Sequence, residues 1–123
     1  PRIVDGDLQT IMAGLACGEP CGLAWDILKD YADYFIAFPD WAAAKGMRIL
    51  GNPMGSDDRI VSGESGASAF GAMAAILSEP ELAGIKAELG LNEDSRVFVI
   101  STEGDTDREN YRKIVWDGKL SGE

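Results

Sequence analysis

The run Arg96-Val97-Phe98-Val99-Ile100-Ser101-Thr102-Glu103-Gly104-Asp105-Thr106-Asp107 constrains this chain most, because four consecutive apolar residues, three of them β-branched, end in hydroxyl and carboxylate groups. Such residues suit a pleated, buried strand, and a helix is expected to begin at Arg108 behind Asp107. In an open α/β sheet the carboxyl ends of the strands face a crevice. Residues from Ser101 onward can then reach a bound molecule while Val97 to Ile100 stay in the core. The same residues also fit a purely structural turn, in which Gly104 supplies a tight bend and Asp107 caps the helix.

Helices and short apolar runs alternate along the chain. Pro20 suits the first position of a helix running to about Ala32, with Ala24, Ile27, Leu28 and Tyr31 on one face that needs something to pack on. Tyr34 to Phe38 reads as a buried strand before Pro39 and Asp40 open a helix ending near Leu50. Gly51, Asn52, Pro53 and Gly55 make a loop. Arg59 to Ser62 reads as a short strand, followed by a small-residue helix from Ala67 to Leu77 that can approach a sheet closely. Ser78-Glu79-Pro80-Glu81 fits a capping box for a helix ending before Gly90. The strand ending at Ser101 and a last helix from Arg108 to about Trp116 complete the pattern. The fold class expected is α/β, a partial three-layer parallel sheet with helices on both faces. Three strands make a narrow sheet, so residues 1–123 are expected to form an incomplete part of a larger domain, with no second domain.

The chain has 123 residues, enough for one core and too few for two. Its net charge of −10 argues against binding nucleic acid, which requires Lys and Arg to neutralise phosphates, and against anionic membranes. No apolar stretch is long enough to cross a bilayer, and Pro1 to Asp7 lacks the apolar core of a signal peptide. A cytoplasmic protein is therefore expected. With two cysteines, Cys17 and Cys21, and no histidine, a four-ligand zinc site of Cys and His cannot be completed. The two cysteines read as small buried packing groups, with a redox pair as the alternative. The lack of histidine also removes every Ser-His-Asp or Cys-His mechanism carried by this chain alone. Trp25, Trp41 and Trp116 read as packing residues, since nothing basic interleaves them.

The segment 96–107 also resembles the last strand and turn of the pyridoxal phosphate (PLP) enzymes of the tryptophan synthase β fold type, and within them the diaminopropionate ammonia-lyase family. The resemblance extends to Thr10 through Asp26, to Gly46-Met47-Arg48-Ile49-Leu50-Gly51-Asn52-Pro53, to Ser62-Gly63-Glu64-Ser65-Gly66-Ala67, and to Asn110-Tyr111 and Trp116-Asp117-Gly118. Order and spacing match the C-terminal portion of that family, while Ser68 to Lys86 carries little of the likeness. The resemblance implies an enzyme that converts 2,3-diaminopropionate to pyruvate and ammonia by α,β-elimination, commonly as a homodimer, with an amino-acid substrate.

By that resemblance Ser101 matches the hydroxyl residue that hydrogen-bonds the pyridine nitrogen of the cofactor. A neutral hydroxyl does not hold the nitrogen protonated as an aspartate would, which suits elimination better than transamination. Gly14 matches a glycine whose backbone passes close to the ring, and its alternative is an ordinary turn. Glu64 matches an acidic residue near the ring, and its alternative is a solvated carboxylate near a helix start. Thr102 ranks below Ser101, because neighbouring strand residues point to opposite sides. Asp105 and Asp107 read as turn and capping residues. No catalytic residue is assigned. None of Lys29, Lys45, Lys86, Lys113 and Lys119 has the surroundings of the family's Schiff-base lysine, and no run of consecutive glycines can cradle a phosphate. The chain alone is thus expected to be inactive and not to bind PLP. A serine or threonine dehydratase-like fragment and a freestanding, non-enzymatic acidic module are the alternatives. If the α/β reading holds, Gly14, Glu64 and Ser101 should come together, with the helices from Ala67 and Arg108 directing their N-termini toward them.

Overall fold

Two helices made of small residues organise the chain. In the computed structural model, which describes residues 2–121, α2 (Asp40–Gly51) crosses α3 (Ser68–Ser78) with almost no side chain between their backbones. A Cβ added at Gly46 would lie 2.5 Å from the Ala67 carbonyl oxygen, and one at Gly71 would overlap the Ala42 carbonyl oxygen. Ala42 and Gly46 on one helix, with Ala67 and Gly71 at the other, are spaced one turn apart and form matching flat faces. Glycine inside a helix costs about 0.5–1 kcal/mol relative to alanine, and the close approach offsets that cost.

Two of the remaining helices pack on this pair, while the first packs against no other helix among the described residues. Helix α1 (Gly22–Tyr31) precedes it, α4 (Ala83–Glu88) follows α3 through a 3₁₀ turn at Pro80–Leu82, and α5 (Arg108–Val115) lies against α2. The core joins Ala44 and Met47 of α2 to Ala67 and to Tyr111 and Ile114 of α5, with Ile11, Leu50 and Val115 packed at its margin. Arg48 reaches from α2 to the end of α5, donating to the carbonyl oxygens of Ile114, Lys119 and Leu120. A cation there satisfies carbonyls that the helix itself cannot and complements its dipole.

Helices follow the sequence closely. Asp40 opens α2, and Asp107 caps α5 by accepting from the Asn110 backbone at 2.9 Å. Helix α4 stops at Gly90, whose φ of +66° is the left-handed conformation favoured at such a terminus. Helix α1 starts at Gly22, two residues beyond the expected Pro20, and its apolar face finds no cover: Leu23, Ile27 and Tyr31 are all exposed. The capping box at Ser78 does not form. Ser78 ends α3 instead, its hydroxyl donating to the Ala74 carbonyl at 2.8 Å and accepting from Lys45, so it is not free to cap the next turn.

No strand forms among the described residues. The segments 34–38, 59–62 and 96–101 enter no ladder, and Phe35, Val97, Phe98 and Ile100 are exposed. A strand is defined by a ladder of backbone hydrogen bonds to a neighbour, and these segments form none, although 59–62 and 96–101 meet at their ends through Ser62 and Ser101. The β-branched composition that marked them is intact, but the described chain provides no partner edge. Cys17 and Cys21 are free and exposed, which corrects their reading as buried packing groups. Trp116 is also exposed, whereas Trp25 and Trp41 are partly buried. No helix among the described residues is long and apolar enough to cross a membrane.

Candidate functional site

The loop Ser62-Gly63-Glu64-Ser65-Gly66 is buried throughout although it is composed of polar and flexible residues. Its polar groups are satisfied by three other segments that meet on it, as burial requires. The turn 101–104 covers one side. Gly63 donates from its backbone to the Glu103 carbonyl at 3.1 Å, and Ser65 donates from its backbone to the Glu103 carboxylate at 2.7 Å. The turn lies so close that a Cβ at Gly66 would sit 2.7 Å from the Glu103 carbonyl oxygen, and one at Gly63 would overlap that of Gly104.

Ser101 joins the cluster through its side chain. Its hydroxyl lies 2.8 Å from that of Ser62, a residue with no exposed surface, and 3.4 Å from the Glu103 carbonyl oxygen. Ser101 itself is open on its remaining side. Thr102, the next residue, is exposed and makes no side-chain hydrogen bond among the described residues.

Gly14 approaches from the other direction, in the 3₁₀ turn Ala13–Leu15. Its backbone N–H donates to the Ser65 hydroxyl at 3.1 Å, and a Cβ there would meet the same oxygen at 2.9 Å. The atom that limits the side chain at position 14 in this chain is therefore Ser65. The segment before it is tied down by Asp40, whose carboxylate accepts from Thr10 and from the Ile11 backbone.

Glu64 is nearly buried at 6% exposure and accepts from the side-chain amide of Asn110 in the first turn of α5. The oxygen of that amide accepts in turn from Lys119 at 2.8 Å. An Asn amide has one acceptor end and one donor end, so Lys119 fixes which end faces Glu64. A buried carboxylate needs this kind of partner, because an isolated one is strongly destabilised. Helix α3 begins directly behind the loop, with Ser68 donating to the Ser65 carbonyl oxygen. The starts of α3 and α5 thus adjoin the same cluster.

Gly14, Glu64 and Ser101 are accordingly brought together through Ser65, Asn110, Glu103 and Ser62, while Thr102 stands apart. The latter four residues are not singled out by sequence pattern, since their partners lie 38 to 51 positions away. An apolar cavity of about 110 Å³ lies elsewhere, between α2, α3 and α4, lined by residues such as Ile36, Trp41, Ala72 and Ile85. Its lining shares no residue with this cluster. The five lysines are engaged differently: Lys29 pairs with Asp26, Lys45 with Glu79 and Lys113 with Glu109, while Lys119 meets Asn110 and Lys86 lies on α4.

No family model matches the chain. It is 56% identical over 116 residues to diaminopropionate ammonia-lyase of Escherichia coli (strain K12), which covers 94% of this chain and 29% of that protein. The enzyme of the same name from Salmonella typhimurium (strain LT2) is 44% identical over 120 residues, covering 97% of this chain and 30% of that protein. In three dimensions the chain matches the crystal structure of the Escherichia coli enzyme in complex with an aminoacrylate-PLP azomethine reaction intermediate. The TM-score is 0.86 at 56% identity, over 90% of this chain and 29% of that one. The complex of that enzyme with D-serine gives a TM-score of 0.84 at 54% identity, covering 88% and 28%. The chain is homologous to a segment of diaminopropionate ammonia-lyase, has the fold of that segment, and spans about 29% of the length of these relatives.

Proposed function

We propose that this chain is the C-terminal part of a PLP-dependent ammonia-lyase that converts 2,3-diaminopropionate to pyruvate and ammonia, and that it supplies the pyridine-nitrogen side of the cofactor site. The observation that carries this reading is the convergence of Gly14, the loop 62–66 and the turn 101–104 in a chain homologous to that lyase.

The residues present fit one end of the cofactor. Ser101 offers a hydroxyl that is anchored on one side and open on the other, which suits a single hydrogen bond to a ring nitrogen. Glu64 keeps a carboxylate at a fixed place beside the loop, and Gly14 holds the backbone near it. Thr102 follows Ser101 at the rim. PLP, when bound, supplies the electron sink for elimination. This chain would orient the ring, exclude water along the buried loop 62–66 and hold a neutral donor at Ser101. The Schiff-base lysine and the phosphate-binding loop would come from outside this chain.

The reading includes the parallel sheet. Segments 34–38, 59–62 and 96–101 would become strands once neighbouring strands are present, which would cover Val97, Phe98 and Ile100. A freestanding module exposing these residues would carry an aggregation liability. The reading also extends to a homodimeric, cytoplasmic enzyme with an amino-acid substrate, supported by the family resemblance.

In the intact enzyme Ser101→Ala is expected to raise the PLP dissociation constant about fivefold, the equivalent of one hydrogen bond of about 1 kcal/mol, and to slow elimination. The fold should stay intact, with a modest loss of thermal stability because the buried Ser62 hydroxyl loses its partner. Unaltered PLP affinity and turnover would remove Ser101 from the site.

A further inference from the structure

Ser62 has no exposed surface, and its hydroxyl has one partner among the described residues, the Ser101 hydroxyl at 2.8 Å. Each hydroxyl carries a single proton, so only one of the two can donate across this contact. If Ser101 donated to Ser62, the Ser62 proton would be buried without an acceptor, at a cost of about 1–3 kcal/mol. If Ser62 donates, nothing is left unsatisfied, because the Ser101 proton can turn toward the Glu103 carbonyl oxygen at 3.4 Å or outward from the exposed side of Ser101.

From this asymmetry we infer that Ser62 is a positioning residue: it donates to Ser101 and thereby leaves the Ser101 proton to be given outward, to an acceptor nitrogen of the cofactor ring. The inference rests on the proposed function above, in which Ser101 meets the pyridine nitrogen. It adds a direction to that contact. A nitrogen that receives a proton in a hydrogen bond is itself unprotonated, and successive hydroxyls polarise one another along a chain. Burial of Ser62 beneath Gly66, where a Cβ would lie 2.7 Å from the Ser62 hydroxyl oxygen, excludes solvent that could otherwise reverse the direction. Without Ser62, the Ser101 hydroxyl is free to donate to Glu103 and to accept from a protonated ring nitrogen.

The test is magnetic resonance of PLP isotopically labelled at the pyridine nitrogen, bound to the intact enzyme and to its Ser62→Ala and Ser101→Ala variants. Ser62→Ala is expected to move the nitrogen resonance toward the protonated position and, because the hydrogen bond to the ring is reversed and not lost, to weaken PLP binding less than the roughly fivefold expected for Ser101→Ala. Ser62→Cys, which keeps a weaker donor in a slightly larger side chain, should give a smaller displacement of the same sign, and it serves if the alanine variant does not fold. A purely structural role for Ser62 would leave the resonance where it is. Displacement in Ser101→Ala with none in the Ser62 variants overturns the inference and leaves the role of Ser101 standing. Absence of displacement in all variants overturns both.

Discussion

At the scale of single residues, Tyr111 carries a cost that one substitution can remove. Its phenol is 7% exposed, its hydroxyl has no hydrogen-bond partner among the described residues, and a Cβ at Gly51 would lie 2.9 Å from that oxygen. A buried donor without an acceptor is unfavourable, whereas the ring itself fills the core beside Met47 and Ile114. Tyr111→Phe should therefore leave stability unchanged or raise it by up to about 1 kcal/mol in denaturant unfolding, and a loss of more than that would contradict the reading of this hydroxyl. Residues of the candidate site were legible to different degrees. Ser101 and Glu64 stand out because hydroxyl and carboxylate groups follow apolar runs, and the structure joins them to one cluster. Ser62, Glu103 and Asn110 do not stand out, because a hydrogen bond across 38 or more positions leaves no local periodicity.

Among the elements, the α2 and α3 crossing tolerates least. Gly71→Ala would drive a methyl group into the Ala42 carbonyl oxygen and separate the helices, at a cost of about 1–3 kcal/mol that outweighs the gain of about 0.5–1 kcal/mol from alanine's helix preference. Unfolding of the Gly71→Ala variant at the wild-type denaturant midpoint would contradict this packing. The same pair is tied at the far end by Lys45 and Glu79, where the lysine's hydrogen bond and then its charge hold the Glu79 carboxyl below its ordinary pKa. A depressed carboxyl contributes stability above the ordinary carboxylate range, and that contribution disappears as the pH falls through the lowered value. Comparing wild type with Glu79→Gln, the stability difference should be present at neutral pH and shrink in acid; a difference independent of pH would exclude the ion pair as its source. Helices were readable because caps and periodicity are local: Asp40, Asp107 and Gly90 mark ends that the structure keeps. Strands were not. Val97 to Ile100 has strand composition, but pairing is a property of two segments, and no ladder forms among the described residues.

For the whole molecule, the exposed faces of α1 and of segments 34–38 and 96–101 are the largest departure from a self-contained domain. Helix α1 buries none of its residues, although its apolar side chains recur at helical spacing. Homology to a segment covering 29% of the relatives' length accounts for both features if the missing neighbours cover them. The 123-residue chain alone, mixed with PLP, should then give no Schiff-base absorption band. A band abolished by replacing one of its five lysines would contradict the assignment of that lysine to another part of the enzyme. The most direct measurement is the structure of the intact protein with PLP bound. The account predicts the Ser101 hydroxyl within hydrogen-bond reach of the pyridine nitrogen, about 2.7–3.2 Å away, with 59–62 and 96–101 in one parallel sheet. A cofactor ring held elsewhere, with Ser101 still bound only to Ser62 and Glu103, would contradict it.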